Sequence, residues 1–143
     1  MPVAAYQEIL ADAKQAGAMT AIDAAGPALL KALGAKPDLV MINRGELAET
    51  LGCSPRSLRS DRALIAAARR LMTLGARIAV IADGPRAACL ATASEIHRLT
   101  PPAVQARSAM GGGDALMAGI LRVLLKSPEN LAAALSFGIA CGA

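Results

Sequence analysis

Aromatic side chains are nearly missing from this 143-residue chain, which holds one Tyr, one Phe and no Trp. Without them there is no stacking platform for single-stranded nucleic acid, and the core has to be aliphatic. Long Lys/Arg runs are missing too. The net charge of +4 and the pI near 9.3 therefore suit an anionic small-molecule partner, and no nucleic-acid partner is expected. The single histidine, His97, is read as a surface or edge residue of a strand rather than a ligand. The three cysteines, Cys53, Cys89 and Cys141, are odd in number, lack ligand spacing and sit in apolar contexts. They are read as reduced core thiols, which fits a cytoplasmic location. "MPVAAYQEIL" lacks the charged and long apolar regions of a signal peptide. No apolar run is long enough to span a bilayer, so no membrane partner is expected.

What is present is a dense apolar chain, 55% hydrophobic and 18% charged, of the kind that folds rather than staying disordered. Its length suits a single domain over 1–143 that buries roughly two-thirds of its unfolded surface. The periodicity alternates between helical and extended. Helices are predicted over 4–17, with Tyr6, Ile9, Leu10 and Ala13 as the dry stripe, then over 26–34, 44–52 and 54–76. Two more, 114–126 and 128–142, close the chain, the last opening with Ser127-Pro128-Glu129 as its cap. Strands are predicted over 18–23, 37–43, 77–83, 86–92 and 95–99. In helix 54–76 the residues Arg56, Arg59, Arg62, Arg69 and Arg70 form the wet side, opposite Leu58, Ile65, Ala68, Leu71 and Met72.

Repeated strand–helix units imply an α/β fold with a parallel sheet covered by helices. Such folds bind ligands beyond the carboxyl ends of the strands. Those ends carry Asp23, Asn43, Asp83 and, after an irregular stretch, "SAMGGGDALMAG" (108–119). Asp23 is read first as a cap for the helix at Gly26, and Asp83 as turn chemistry beside Gly84. Successive amides of Gly111, Gly112 and Gly113 can turn toward one oxyanion, and the following helix adds its free N–H groups. A carboxylate at that junction, Asp114, suggests phosphoryl transfer, with the aspartate accepting a hydroxyl proton. From the tetrapeptide alone, the plainer reading is a glycine turn with a helix-terminus acid. A dinucleotide loop fits less well, because its glycines follow a strand directly.

"MGGGDALMAG" resembles the GAGD signature near the C-terminal end of the ribokinase-like (PfkB) carbohydrate kinases. Further segments resemble that family in the same order: "AIDAAGPALLKAL" its D-x-x-G segment, "PDLVMINRGELAETLG" its N-x-x-E segment, and "LGARIAVIADGPRAACLAT" its strand, glycine turn and hairpin. The "PPAVQARSAMGGGD" approach looks most like the 1-phosphofructokinase and tagatose-6-phosphate kinase branch. The resemblance implies a partial ribokinase-like α/β sandwich and transfer of the ATP γ-phosphoryl group to a sugar or sugar-phosphate hydroxyl, with Mg²⁺. It implies Asp114 as base, Gly111, Gly112 and Gly113 as anion hole, and Gly84 beside the nucleotide. Asn43 and Glu46 would organise Mg²⁺ through water. A homodimer of the intact parent is compatible with it.

Asn43-x-x-Glu46 is equally an N-cap with a capping-box acid, and both readings can hold together. The chain also departs from the family pattern. Met41-Ile42 stands where the phosphofructokinase branch has Lys-Pro, Ala82 where it has Ser or Thr, and Ala87 where it has a second glycine. The family's N-terminal portion, with most sugar-binding residues and the lid strands, would precede Met1. The expectation is a fragment carrying the nucleotide-binding, catalytic part of a sugar kinase. The alternative is a non-catalytic nucleotide-binding or interaction module derived from one.

Overall fold

The computed structural model describes residues 3–104 and 110–143. Its helices are α1 (Ala5–Gln15), α2 (Gly26–Ala32), α3 (Arg44–Thr50), α4 (Asp61–Leu74), α5 (Gly112–Leu124) and α6 (Leu131–Gly142). Its strands are β1 (Ala21–Asp23), β2 (Leu39–Asn43), β3 (Ile78–Ala82), β4 (Ala88–Ala91) and β5 (Ile96–Leu99). The strands form one mostly parallel sheet in the order β1-β2-β3-β4-β5. The α/β fold read from the alternation is therefore the observed one. By contact density the chain divides into two compact units, 1–81 with 91–96 and 82–90 with 97–143.

In the first unit, β1 and β2 run parallel with Ala21 opposite Leu39 and Asp23 opposite Met41. A buried polar knot sets this register where the strands begin. Asp38, with its side chain 12% exposed, accepts the Thr20 backbone N–H and the Thr20 hydroxyl on Oδ2, both at 2.9 Å. Its own N–H donates back to the Thr20 hydroxyl at 3.1 Å. Arg77 donates from Nη1 to Asp38 Oδ1 at 2.9 Å, and Lys14 lies 3.8 Å from the same oxygen. Backbone bonds continue the pattern, with Leu39 N–H to Thr20 C=O at 3.0 Å and Ile78 N–H to Asp38 C=O at 3.0 Å. From there the strand interiors are apolar, and Leu39, Val40, Ile42, Ala79, Val80 and Ile81 are buried.

Several boundaries and faces differ from the sequence reading. Ile9 is exposed, so the dry side of α1 rests on Leu10. The predicted long helix is two elements. Pro55–Leu58 forms a 3-10 turn, and α4 starts afresh with Ser60 Oγ accepting the Ala63 N–H at 3.2 Å. A serine cap six residues into the periodic stretch ends one element and begins another. The buried face of α4 is Leu64, Ala67, Ala68 and Leu71, with Ile65 and Met72 half-buried. All five arginines named above are exposed. Cys53 and Cys141 are exposed, which corrects the core-thiol reading for two of the three; Cys89 is buried.

In the second unit α5 and α6 pack at close range, and glycines make that possible. A Cβ on Gly119 would lie 2.7 Å from the Gly138 Cα. A Cβ on Gly138 would lie 2.6 Å from Ile120 Cγ1 and 2.7 Å from the Leu116 carbonyl oxygen. Leu116, Ile120, Leu124, Leu131, Ala134, Leu135 and Ile139 are buried. Helix α6 is capped by Asn130, whose Oδ1 accepts the Ala133 N–H at 3.2 Å. The predicted Ser127-Pro128-Glu129 cap is instead the turn before it, closed by Asn130 N–H to Ser127 C=O at 3.0 Å. Among the described residues no helix is long and apolar enough to cross a membrane.

The knot at Asp38 makes acid stability measurable. Burial alone raises its pKa, but the Thr20 N–H and hydroxyl, the Arg77 guanidinium and the Lys14 ammonium outweigh that and hold it below its ordinary 3.8. A depressed carboxyl stabilises the fold above its unfolded pKa, and that stability is lost as pH falls through the folded value. Asp38→Asn is expected to cost about 1–3 kcal/mol at pH 7. In denaturant titrations the gap between wild type and variant should begin to narrow only below pH 3.8 and close as pH falls through the lower folded value.

Candidate functional site

Gly111 is the N-cap of α5 and takes the left-handed conformation, with φ 80° and ψ −5°. L side chains avoid this region, so the chain turns into the helix there at little cost only with glycine. The helix starts two residues before the predicted 114, which places Gly112 and Gly113 in its first turn and Asp114 as its third residue. Ala115 N–H closes the turn on the Gly111 carbonyl at 2.9 Å. The N–H groups of Gly112, Gly113 and Asp114 therefore have no acceptor within the helix. Gly111, Gly113 and Asp114 are exposed and Gly112 is half-buried. Open amides at the positive end of a 13-residue helix suit a bound oxyanion. Of the approach segment, residues 105–109, Ser108 included, lie outside the described residues.

Close helix packing holds this loop in place from behind. A Cβ on Gly142 would meet the Gly112 carbonyl oxygen at 2.6 Å, and one on Gly112 would meet the Gly142 carbonyl oxygen at 3.1 Å. The end of α6 thus abuts the start of α5, continuing the contact at Gly119 and Gly138.

The second glycine feature belongs to the same compact unit. Gly84 has φ 58° in the turn after β3. Asp83 N–H donates to the Ala87 carbonyl at 3.1 Å, and Arg86 N–H to the Asp83 carbonyl at 3.3 Å. The Arg86 guanidinium grips the Asp83 carboxylate with two bonds, 2.7 Å from Nε and 2.9 Å from Nη2. A bidentate ion pair gives the turn geometric definition as well as attraction. Asp83 is thus turn chemistry, as its neighbourhood suggested.

Asn43 and Glu46 lie in the other unit. They form a reciprocal capping box at the start of α3. Glu46 N–H donates to Asn43 Oδ1 at 2.9 Å, and Asn43 N–H donates to Glu46 Oε2 at 3.1 Å. The structural reading of this pair holds, and Glu46 Oε1 stays outside the box. Two hard-oxygen side chains at a strand end fit Mg²⁺ held through water. Mg²⁺ prefers to keep several waters and take one or two carboxylates besides substrate phosphates. Among the described residues no group of three or more His, Cys, Asp or Glu side chains is placed to hold a metal directly.

The N-cap position of α2 is Ala25 rather than Asp23, and the Ala25 side chain makes no bond to the helix. The Gly26 N–H instead donates to Thr50 Oγ1 at 2.8 Å. Thr50 was not legible as a site-region residue, because its partner lies 24 positions away. His97 is half-buried in β5, the last strand of the sheet order. Met41 is 3% exposed within β2. No donor from Met41 or from Ala82 replaces the Lys and Ser/Thr expected of the family pattern.

A profile described as pfkB family carbohydrate kinase matches residues 1–143. A 1-phosphofructokinase of Rhodobacter capsulatus is 37% identical over 139 residues, covering 94% of this chain and 43% of that protein. A 1-phosphofructokinase of Xanthomonas campestris is 32% identical over 135 residues, covering 92% and 42% respectively. The chain thus spans less than half the length of these relatives. Among solved structures, the tetrameric inhibited form of phosphofructokinase-2 from Escherichia coli superposes with a TM-score of 0.87 at 24% identity. That match covers 99% of this chain and 46% of the other. Aminoimidazole riboside kinase from Salmonella enterica gives 0.77 at 23%, over 96% and 48%. These structural likenesses show the fold.

The α5–α6 contact predicts a sharp response to a single methyl. Gly138→Ala is expected to destabilise the chain by about 1–3 kcal/mol, because the added carbon meets backbone as well as side chain. Ser136→Ala, on an exposed position of the same helix, should change the denaturation midpoint little. Equal midpoints for Gly138→Ala and the wild type would contradict the packing described.

Proposed function

The chain belongs to the pfkB family of carbohydrate kinases, and we propose that the protein carrying it transfers the ATP γ-phosphoryl group to a hydroxyl of a sugar or sugar phosphate. The observation that carries this reading is the start of α5, where a left-handed glycine, open helix amides and a carboxylate succeed one another within four residues. Its similarity to the two 1-phosphofructokinases favours a sugar phosphate as the acceptor.

In this reading the transferring group lies against the N–H groups that open α5. These amides are fixed before the reaction, so stabilising the developing charge needs no reorganisation when it occurs. Asp114, on the first turn of the same helix, accepts the proton of the attacking hydroxyl, which sharpens that oxygen as a nucleophile. Sharing one rigid element fixes the spacing between proton acceptor and anion hole. The Gly84 turn, held by Asp83 and Arg86, lets the nucleotide approach the backbone. Asn43 and Glu46 would hold Mg²⁺ through water, and when bound it neutralises phosphate charge.

A second reading is favoured by Met41 and Ala82. With an apolar residue and a methyl at two expected phosphate-facing positions, the chain serves as a nucleotide-binding module without turnover. Calorimetry of ATP binding, paired with an assay of hexose-phosphate-dependent ADP release, separates the two readings. Binding with release supports the kinase, and binding without release supports the module. In the full-length protein, Asp114→Asn is expected to lower kcat by about 10²- to 10⁴-fold while ATP affinity changes little. Near-normal turnover of that variant would remove Asp114 from the role of base.

A further inference from the structure

The D-x-x-G segment (Asp23 to Gly26) and the N-x-x-E segment (Asn43 to Glu46) follow neighbouring parallel strands, with Asp23 in register with Met41. One buried hydroxyl joins them. Thr50, on the last turn of α3, donates from Oγ1 to the Glu46 carbonyl at 2.7 Å. The same oxygen accepts the Gly26 N–H at 2.8 Å. Gly26 is buried and left-handed, with φ 61°, and Ala25 provides no side-chain cap. The first amide of α2 is therefore satisfied from α3, across the two segments. Burial of that amide makes the hydroxyl hard to replace, since an unsatisfied buried donor costs more than a bond contributes on average.

Glu46 is consequently held on three sides. Its N–H is bound by Asn43 Oδ1, its Oε2 by the Asn43 N–H, and its carbonyl by Thr50. Only Oε1 lies outside this set of bonds. We propose that Thr50 is a positioning residue, which fixes α3 against the β1–α2 segment so that Asn43 and Glu46 present one arrangement of oxygens to Mg²⁺ and its waters. The inference rests on the reading above that these two residues organise Mg²⁺. It assigns Thr50 no contact with nucleotide or metal. A β-branched hydroxyl suits the task, because its rotamer is restricted in a helix while its oxygen both donates and accepts.

The test is calorimetry of ATP binding to the 143-residue chain at increasing Mg²⁺, for the wild type, Thr50→Val and Thr50→Ser. Thr50→Val keeps the shape and removes the hydroxyl. It is expected to raise the Mg²⁺ concentration needed for half-maximal enhancement of ATP binding by about tenfold, a typical effect for groups that orient metal-binding side chains. ATP affinity without metal should stay the same, and Thr50→Ser should restore most of the Mg²⁺ response. Unchanged Mg²⁺ dependence in Thr50→Val, even with a lowered melting temperature, overturns the inference alone and leaves Thr50 a purely structural residue. Wild-type binding of ATP that ignores Mg²⁺ overturns the metal role of Asn43 and Glu46 together with this inference. Absence of ATP binding by the wild type overturns the functional reading itself. Should Thr50→Val fail to fold, amide hydrogen exchange of the wild type decides. Mg²⁺-ATP should slow exchange at Gly26 and Glu46 together, and slowing at Glu46 alone overturns the coupling.

Discussion

A carboxylate buried where the strands begin sets the register on which the first half of this chain depends. Asp38 is bound to Thr20 through backbone and hydroxyl and to Arg77 through its guanidinium. A one-residue slip of β2 would carry its side chain to the other face of the sheet and strand the charge among aliphatic groups. The apolar strands tolerate many pairings on hydrophobic grounds alone, since Leu39, Val40, Met41 and Ile42 are all buried. The polar knot removes that ambiguity. With the entry fixed, the exits follow, so Asp23 and Asn43 lead their chains out of neighbouring parallel strands.

At those exits, structural and chemical demands fall on the same atoms. The Asn43–Glu46 box caps a seven-residue helix that is too short to be stable by itself, and it uses one oxygen of each side chain. The carboxylate still offers a second oxygen. A capped acid has little freedom to wander, so in the proposed reading the cap would also orient the group for metal-bound water. Thr50 extends the arrangement to α2, whose first amide has no local acceptor. The two short helices thereby stabilise one another through a single hydroxyl.

The second unit solves a different problem. Open helix amides can receive an anion only if the helix start stays put, yet a run of glycines is entropically disposed to wander. The contact of α5 with α6 supplies the restraint, through Gly119 with Gly138 and Gly112 with Gly142. The glycines that loosen the loop locally also let the helices approach closely enough to hold it. The gain in packing and the freedom of the backbone come from the same missing side chain.

The sequence by itself determined the alternation of strands and helices and the aliphatic core, which rest on local periodicity and on caps between near neighbours. The candidate site residues came from the resemblance of whole segments to the family, since the glycine run alone reads as a plain turn. Asn43 with Glu46 was readable because its bonds span three residues. Even local signals misled where several competed: Ser127 and Pro128 read as a cap, but Asn130 takes that position, and Ser60 splits a continuous periodic stretch. Tertiary structure alone decided the roles of Asp38, Thr50, Gly119 and Gly138. Their partners lie far away in the sequence, and a buried polar bond or a close backbone approach leaves no periodic trace in one segment. Whether an aspartate caps a helix, as expected for Asp23, or anchors a sheet, as Asp38 does, depends on which distant donors the fold brings to it.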